Sequence, residues 1–381
     1  MGAFAQAFHG VSANSASRSL KLGIFDDGAF LTPSFTFPWL KRLHVKVIRV
    51  TMYWGREPGE GVAPTRPEHP TDPEDPAYRF GVWDRADVEA ADDGIKVVFS
   101  IVGTPRWASG ANHWNRAPRR AADLRAFAYA AAKRYSGTYT PPGRDEPLPA
   151  VKTWLAWNEP NNPLFLSPQY RRIGTRVVNH KRKPLFRVQS ALEYAKICTA
   201  VWAGVHATHV PGEKVGCGET GPRGNNQARS SRPSVSPLVF LTAFHRFGGR
   251  RFDAYTHHPY YGAPTETPAT KPAKTAVELG NMDVLIRQVT RFYGRKPIWI
   301  TEYGYQTNPP DRLFGVTWKK QARYLSQAVQ IARRNPRIDY LFWFLLRDEK
   351  ARLGKDGWQS GLLTHAGKRK PAFTTFQRLL G

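Results

Sequence analysis

The stretch Trp154-Leu155-Ala156-Trp157-Asn158-Glu159-Pro160-Asn161 reads as a buried strand that ends by presenting a carboxylate. Four apolar positions run into Asn158 and Glu159, and Pro160 stops the run. Proline cannot donate to a ladder and pushes the residue before it away from helical backbone angles, so Glu159 is expected at the rim of a sheet. Pro297-Ile298-Trp299-Ile300-Thr301-Glu302-Tyr303-Gly304 has the same design. Two apolar strands that each deliver a glutamate at the C-terminal end suggest paired-carboxylate chemistry, provided the fold brings the ends together.

Outward from these stretches, strand-like and helix-like runs alternate. Strands are expected at 22–25, 45–52, 95–102, 151–157, 214–219, 252–257, 298–302 and 338–345. Helices are expected at 33–43, 82–93, 121–135, 188–208, 237–247, 276–293, 318–334 and 371–380. A Pro-rich loop fills 55–80. The stretch 160–187 reads as a loop with seven Lys or Arg and no acidic residue. Eight strand–helix units without a boundary linker predict an α/β fold, a single (β/α)8 TIM barrel with long βα loops over residues 21–381. Parallel strands buried on both faces read as continuous apolar runs, as these do. The rival is a doubly wound open sheet, which would want a Gly-rich phosphate turn after an early strand, and none is present. Catalytic groups of a closed barrel sit at the C-terminal ends of its strands, where both glutamates fall.

The 381 residues are 41% hydrophobic and 13% aromatic, which excludes disorder for the bulk of the chain. No run of 18 apolar residues exists, so no membrane span is expected. Residues 1–20 read as a flexible tail or signal remnant. Ala13-Asn14-Ser15 has a small-x-small look without a proper basic or apolar region before it, and secretion or the cell envelope is the expected location. Cys198 and Cys217 exclude a disulfide scaffold and show no metal-ligand spacing. Whether they pair is open from sequence, two inert buried thiols being the plainer reading. A net charge of +26 favours polyanionic partners or is simply a basic surface. No metal or cofactor is called for, and the oligomeric state is not legible.

Around the two glutamates the chain resembles the glycoside hydrolases of clan A, barrels whose acid/base ends strand four and whose nucleophile ends strand seven. The most specific parts are W-N-E-P at 157–160 and I-T-E-Y-G at 300–304, and the last loop is similar to that of families 5 and 39. The resemblance implies a retaining glycosidase with Glu159 as acid/base and Glu302 as nucleophile. It implies that Arg49 supports the nucleophile and that the Tyr260 of His258-Pro259-Tyr260 hydrogen-bonds it. Asn158 would donate to the sugar 2-hydroxyl, and Trp343 would floor the subsite. Trp107 and Trp358 are further sugar-stacking candidates. For Arg49 an ordinary salt bridge, and for Trp343 a core position, are the competing readings. Glu159, with Trp154 and Trp157 close in sequence, is expected to favour its protonated form, and Glu302 to stay ionised through Arg49, Tyr260 and Asn158. Glu219 and Glu57 are weaker carboxylate candidates without the flanking pattern.

The partner so implied is an oligo- or polysaccharide with a β-type or α-L-arabinosidic linkage, and the cationic 160–187 stretch suggests acidic sugars. Two other classes compete. One is a carbohydrate-binding barrel that holds glycan on Trp107, Trp114 and Trp358 without cleaving it. The other is an anionic-polymer binder. A nucleic-acid role is disfavoured, because basic residues are scattered through the barrel elements and no recognition motif appears.

Overall fold

The computed structural model describes residues 20–57, 59–273, 275–350 and 357–380. The expected 1–20 tail lies outside these except for Leu20. In chain order the elements are β1 (Lys21–Phe25), α1 (Gly28–Leu31), α2 (Pro33–Leu43), β2 (Val47–Tyr53), α3 (Gly81–Asp92), β3 (Lys96–Val102), α4 (Arg106–Ser109), α5 (Ala121–Arg134) and β4 (Thr153–Ala156). They continue with β5 (Tyr170–Val178), β6 (Lys181–Val188), α6 (Gln189–His206), β7 (Lys214–Thr220), α7 (Pro237–Arg246), β8 (Ala254–His257), α8 (Met282–Tyr293), β9 (Ile298–Tyr303), α9 (Trp318–Arg333), β10 (Ile338–Phe344) and α10 (Pro371–Leu380).

Eight strands close a parallel barrel in the order β1-β2-β3-β4-β7-β8-β9-β10, with β1 also paired to β10. The chain is therefore a single (β/α)8 TIM barrel. The two-residue period of a strand divides its side chains between two cores. Phe25, Val47, Val98, Leu155, Ala254, Trp299, Tyr340 and Phe342 fill the barrel interior. Their neighbours, among them Ile24, Ile48, Trp154, Ala156, Ile300, Leu341 and Trp343, face the surrounding helices. At the seam, Asp26 accepts hydrogen bonds from the backbone of Gly28, Leu346 and Arg347, which ties the end of the first strand to that of the last.

Four expectations are corrected. The stretch 160–187 is no simple loop, because β5 and β6 form an antiparallel hairpin within it. The fourth barrel strand is shorter than 151–157: Trp157 still donates to Ile101 O, but its φ of +74° ends the strand. The helix placed at 276–293 begins only at Met282, after a short 3-10 turn over Leu279–Asn281. Finally, Cys198 on α6 and Cys217 on β7 form a disulfide across a Cα separation of 6.0 Å instead of resting as two thiols. Both are fully buried, as expected, and helix and strand pack closely enough to bridge them.

Candidate active site

The residue before Pro160 is neither helical nor extended: Glu159 has φ +35°, so Trp157 and Glu159 flank Asn158 with two left-handed backbones. Bulky residues hold that conformation only where the surroundings over-determine it, and such strain collects at functional sites. Here the surroundings are specific. Ser100 donates to Trp157 O, and Asn161, fully buried, accepts from Gly221 N and donates to Gly221 O and Val235 O. That ties the Glu159 loop to the one after β7. A side chain at Gly221 would put a carbon 2.9 Å from the Glu159 carboxyl carbon, so only glycine leaves the carboxylate its place.

Glu302 lies at the C-terminal end of β9 and is held from two neighbouring elements. Tyr260 Oη, in the loop after β8, donates to its Oε1 at 2.9 Å. Arg49 Nη1, from β2, reaches its Oε2 at 3.4 Å. Arg49 is fully buried and also donates to Thr301 O at 2.9 Å and to Asn158 Oδ1 at 2.8 Å. With its carbonyl so occupied, Asn158 keeps its amide hydrogens without a protein partner among the described residues.

His258 joins the two glutamates. Its Nδ1 is 3.3 Å from Glu159 Oε1 and 3.6 Å from Glu302 Oε2. Those two legs, 3.3 and 3.6 Å, cap the separation of the carboxylate oxygens at 6.9 Å. The side chains of 159 and 302 therefore meet at one end of the barrel around one imidazole. The other ring nitrogen, Nε2, is 3.1 Å from Glu219 Oε2. Glu219 is fully buried, and it takes Arg49 Nη2 at 3.1 Å and the Thr301 hydroxyl at 2.8 Å.

Sequence reasoning ranked Glu219 low, and the structure puts it in the middle of the cluster. The pairing register of β7 with β8 shifts between Cys217 and Thr220, where Gly218 has φ +126° and Glu219 φ +44°. Bulges of this kind re-aim a side chain. A glycine one residue before a strand-end glutamate was the available signal. Asn162, which donates to Glu159 Oε2 at 3.0 Å, was also missed.

The charges follow from these contacts. Burial works against a charged His258, but Glu302, Glu159 and Glu219 outweigh it and raise the imidazole to about 9, so it is a cation at neutral pH. Burial would likewise raise Glu219, yet Arg49 and His258 hold it below the usual carboxylate range. In the facing pair, burial pushes Glu302 up, beyond what His258 and Arg49 recover, with Glu159 adding to the rise. For Glu159 the burial effect is outweighed by the His258 hydrogen bond and charge and by Asn162, and its carboxyl is lowered. These directions run opposite to the expectation, which had Glu159 favouring its protonated form and Glu302 its charged one. Neighbouring His257 is pushed down to about 4 by burial and stays neutral between Thr220 and Val277 O.

The aromatic candidates separate clearly. Trp358, 40% exposed, lies 5.6 Å from the Tyr260 ring and 5.5 Å from that of Phe344, one ring removed from Glu302. Trp343 is fully buried, faces the helices and donates to Ser360 O, so it is a core residue and floors no subsite. Alternation along β10 gives the inward position to its neighbour Phe344, which packs on Phe25 of the barrel interior. Trp107 is committed to the loop after β2, donating to Ala63 O with Arg66 over its ring. Glu57 is exposed and in no ion pair among the described residues. Among the described residues no group of three or more His, Cys, Asp or Glu could hold a metal ion, and no helix is long and apolar enough to cross a membrane.

A closed parallel barrel with glutamates at the ends of its fourth and seventh strands defines the clan A glycosidase-like fold. Residues 240–376, which include His258, Tyr260 and Glu302, match the family model described as glycosyl hydrolase catalytic core, and this supports a glycosidase. Among solved structures, the chain is similar to a family 39 glycoside hydrolase from the gut symbiont Bacteroides cellulosilyticus WH2, at 18% identity and a TM-score of 0.60, over 95% of this chain and 64% of that one. It is similar to a glucosidase from Croceicoccus marinus at 14% identity and a TM-score of 0.66, over 95% and 66%. Fungal β-1,4-galactanases align at 13% identity with a TM-score of 0.59, over 94% and 98%. At these identities the likeness is one of fold, and the chain spans 64% and 66% of the length of the first two. No curated protein matches the sequence.

Proposed function

We propose that the chain is a retaining glycoside hydrolase with Glu302 as nucleophile and Glu159 as acid/base. The observation that carries the reading is the shared imidazole, which keeps the two carboxylates within 6.9 Å. That ceiling takes in the about 5–5.5 Å of retaining enzymes and leaves out most of the about 6.5–9.5 Å that inverting ones use to admit a water. In the first step Glu302 Oε bonds to the anomeric carbon as the glycosidic C–O bond breaks, and the proton on Glu159 goes to the leaving oxygen. In the second, Glu159 takes a proton from water, the water oxygen bonds to the anomeric carbon, and Glu302 leaves as a carboxylate.

The first step needs Glu159 protonated and Glu302 ionised. Positive charge that develops on the sugar ring stabilises an ionised Glu302 beside it. The Tyr260 and Arg49 hydrogen bonds then favour the carboxylate form of Glu302. Asn158, its carbonyl held by Arg49, offers its amide to the 2-hydroxyl. Trp358 provides an exposed ring for a sugar face. The substrate we infer is a glycan with acidic or arabinosyl units, the acidic choice resting on the cationic hairpin. Secretion or a cell-envelope location is consistent with the disulfide, since such bonds persist in oxidising compartments.

A panel of aryl glycosides tests the reading. Glu302→Ala is expected to lose at least about a thousandfold in kcat. Glu159→Ala should lose comparably on poor leaving groups, and azide should restore it on an activated substrate as the glycosyl azide of retained configuration. Full turnover by Glu302→Ala, or an inverted product, would reject the mechanism. Glycan binding with no turnover of any glycoside would favour a carbohydrate-binding barrel instead.

A further inference from the structure

We propose that the β5–β6 hairpin is a binding site for the negative groups of an acidic glycan, rooted beside the catalytic carboxylates. The inference rests on the glycosidase reading and names the substrate class of that same site.

The hairpin grows out of the loop that carries Glu159, and its root is fixed. Gln169, buried at the foot of β5, donates to Pro160 O at 2.9 Å and to Leu166 O, and accepts from the Ser190 hydroxyl at the start of α6. The backbone of Gln189 closes the other foot on Gln169 O. One buried side chain thus couples the ribbon to the residue next to Glu159.

Above that root the ribbon is exposed on both sides, and its cations are sorted. On β6, Arg187, Lys183 and Lys181 stand two or four residues apart and share a face. Register sets Arg171 opposite Arg187 and Arg176 opposite Lys183, the bulge at Ile173 keeping both on that face. Five of the seven cations therefore share one face, with Arg172 and Arg182 on the other. From Arg187 to Lys183 is four residues, or about 13 Å, and Lys181 lies about 7 Å further.

Like charges directly opposite one another destabilise an antiparallel pair. Two such rungs, with no acidic residue from 160 to 187 and no ion pair to any of the seven among the described residues, make an arrangement that anions of a ligand would relieve. Arginine forks bind carboxylate and sulfate groups bidentately. The cationic face carries no aromatic residue, so it lacks the stacking platform that single-stranded nucleic acid uses. A polymer that reaches the paired carboxylates from this ribbon is a glycan.

The competing account is that the charges only keep an isolated ribbon from pairing with other chains. Both accounts meet the same test. In the inactive Glu302→Ala background, a face variant (Arg176→Ser/Lys181→Ser/Lys183→Ser) is compared with a control of equal charge change on α9 (Lys319→Ser/Lys320→Ser/Arg323→Ser). The probes are polygalacturonate and its methyl ester, dextran sulfate and dextran, and a short DNA duplex. At low salt the parent should bind a carboxylated or a sulfated glycan over its neutral partner, and the face variant alone should weaken that by about tenfold. Which of the two acidic glycans binds identifies the source of the charge. Equal loss in the α9 control, no preference for charged glycan, or DNA bound as tightly would overturn the proposal. So would self-association of the face variant with unchanged glycan binding. Turnover of small aryl glycosides by the face variant, with Glu302 restored, should equal wild type. If wild type itself turns over none of them, the glycosidase reading fails while the binding result stands by itself.

Discussion

Arg49 and His258 approach to 3.3 Å in the centre of the site, and two cations so close and so buried need anions around them. Three carboxylates are present: Glu159, Glu219 and Glu302. With Glu219 ionised, the count is neutral when the facing pair holds one proton, which is the state that double displacement starts from. His257 is neutral and Tyr260 holds its proton, so neither alters the count. Glu219→Gln keeps the shape and removes one negative charge, and the pair then has less reason to hold its proton. The basic limb of the kcat/KM profile should move to lower pH by about one unit or more. Glu219→Asp should leave it in place. A loss of kcat with an unmoved limb would make Glu219 merely structural.

The tryptophans give a second contrast at this scale. Trp358→Ala should raise KM for oligosaccharides while leaving the unfolding midpoint nearly unchanged. Trp343→Ala should cost about 3–5 kcal/mol of stability, read from denaturant unfolding. Glu159, Glu302, His258 and Tyr260 were legible because each lies at or just past a strand end in a recognisable run of residues, and Arg49, inside β2, only through the resemblance. Trp343 misled by one position, since apolar runs buried on both faces do not say which residue points inward.

Among elements, the hairpin escaped sequence reading for a physical reason. Both its faces are in solvent, so no alternation of apolar and polar residues marks it. Its turn, Asn179-His180, reaches the required positive φ values of 49° and 58° without the usual glycine. Glu219 was hidden in the same way, because a bulge changes which side a residue takes without changing composition. The α6–β7 link has a measurable consequence too. Its disulfide joins residues 19 apart, and a loop of that size restricts the unfolded chain by about 3 kcal/mol. Cys198→Ala/Cys217→Ala should lower the denaturant midpoint accordingly, with the unfolding slope little changed. Reducing agent should shift wild type toward the double variant and leave the variant itself unaffected.

For the molecule as a whole, the barrel was the most legible feature. Eight buried strands alternating with amphipathic helices leave few other ways to hide every strand. The closing of that barrel was not written in any local stretch, because it depends on Asp26 meeting the backbone of Leu346 across 320 positions of sequence. That contact has a bearing on biosynthesis. While the chain is being made, β1 must wait with an open edge until β10 has emerged, and Glu302, on β9, can meet Arg49 only late in synthesis. Nascent intermediates are thus inert and prone to stray strand pairing, and hydrolytic competence should arrive late and all at once.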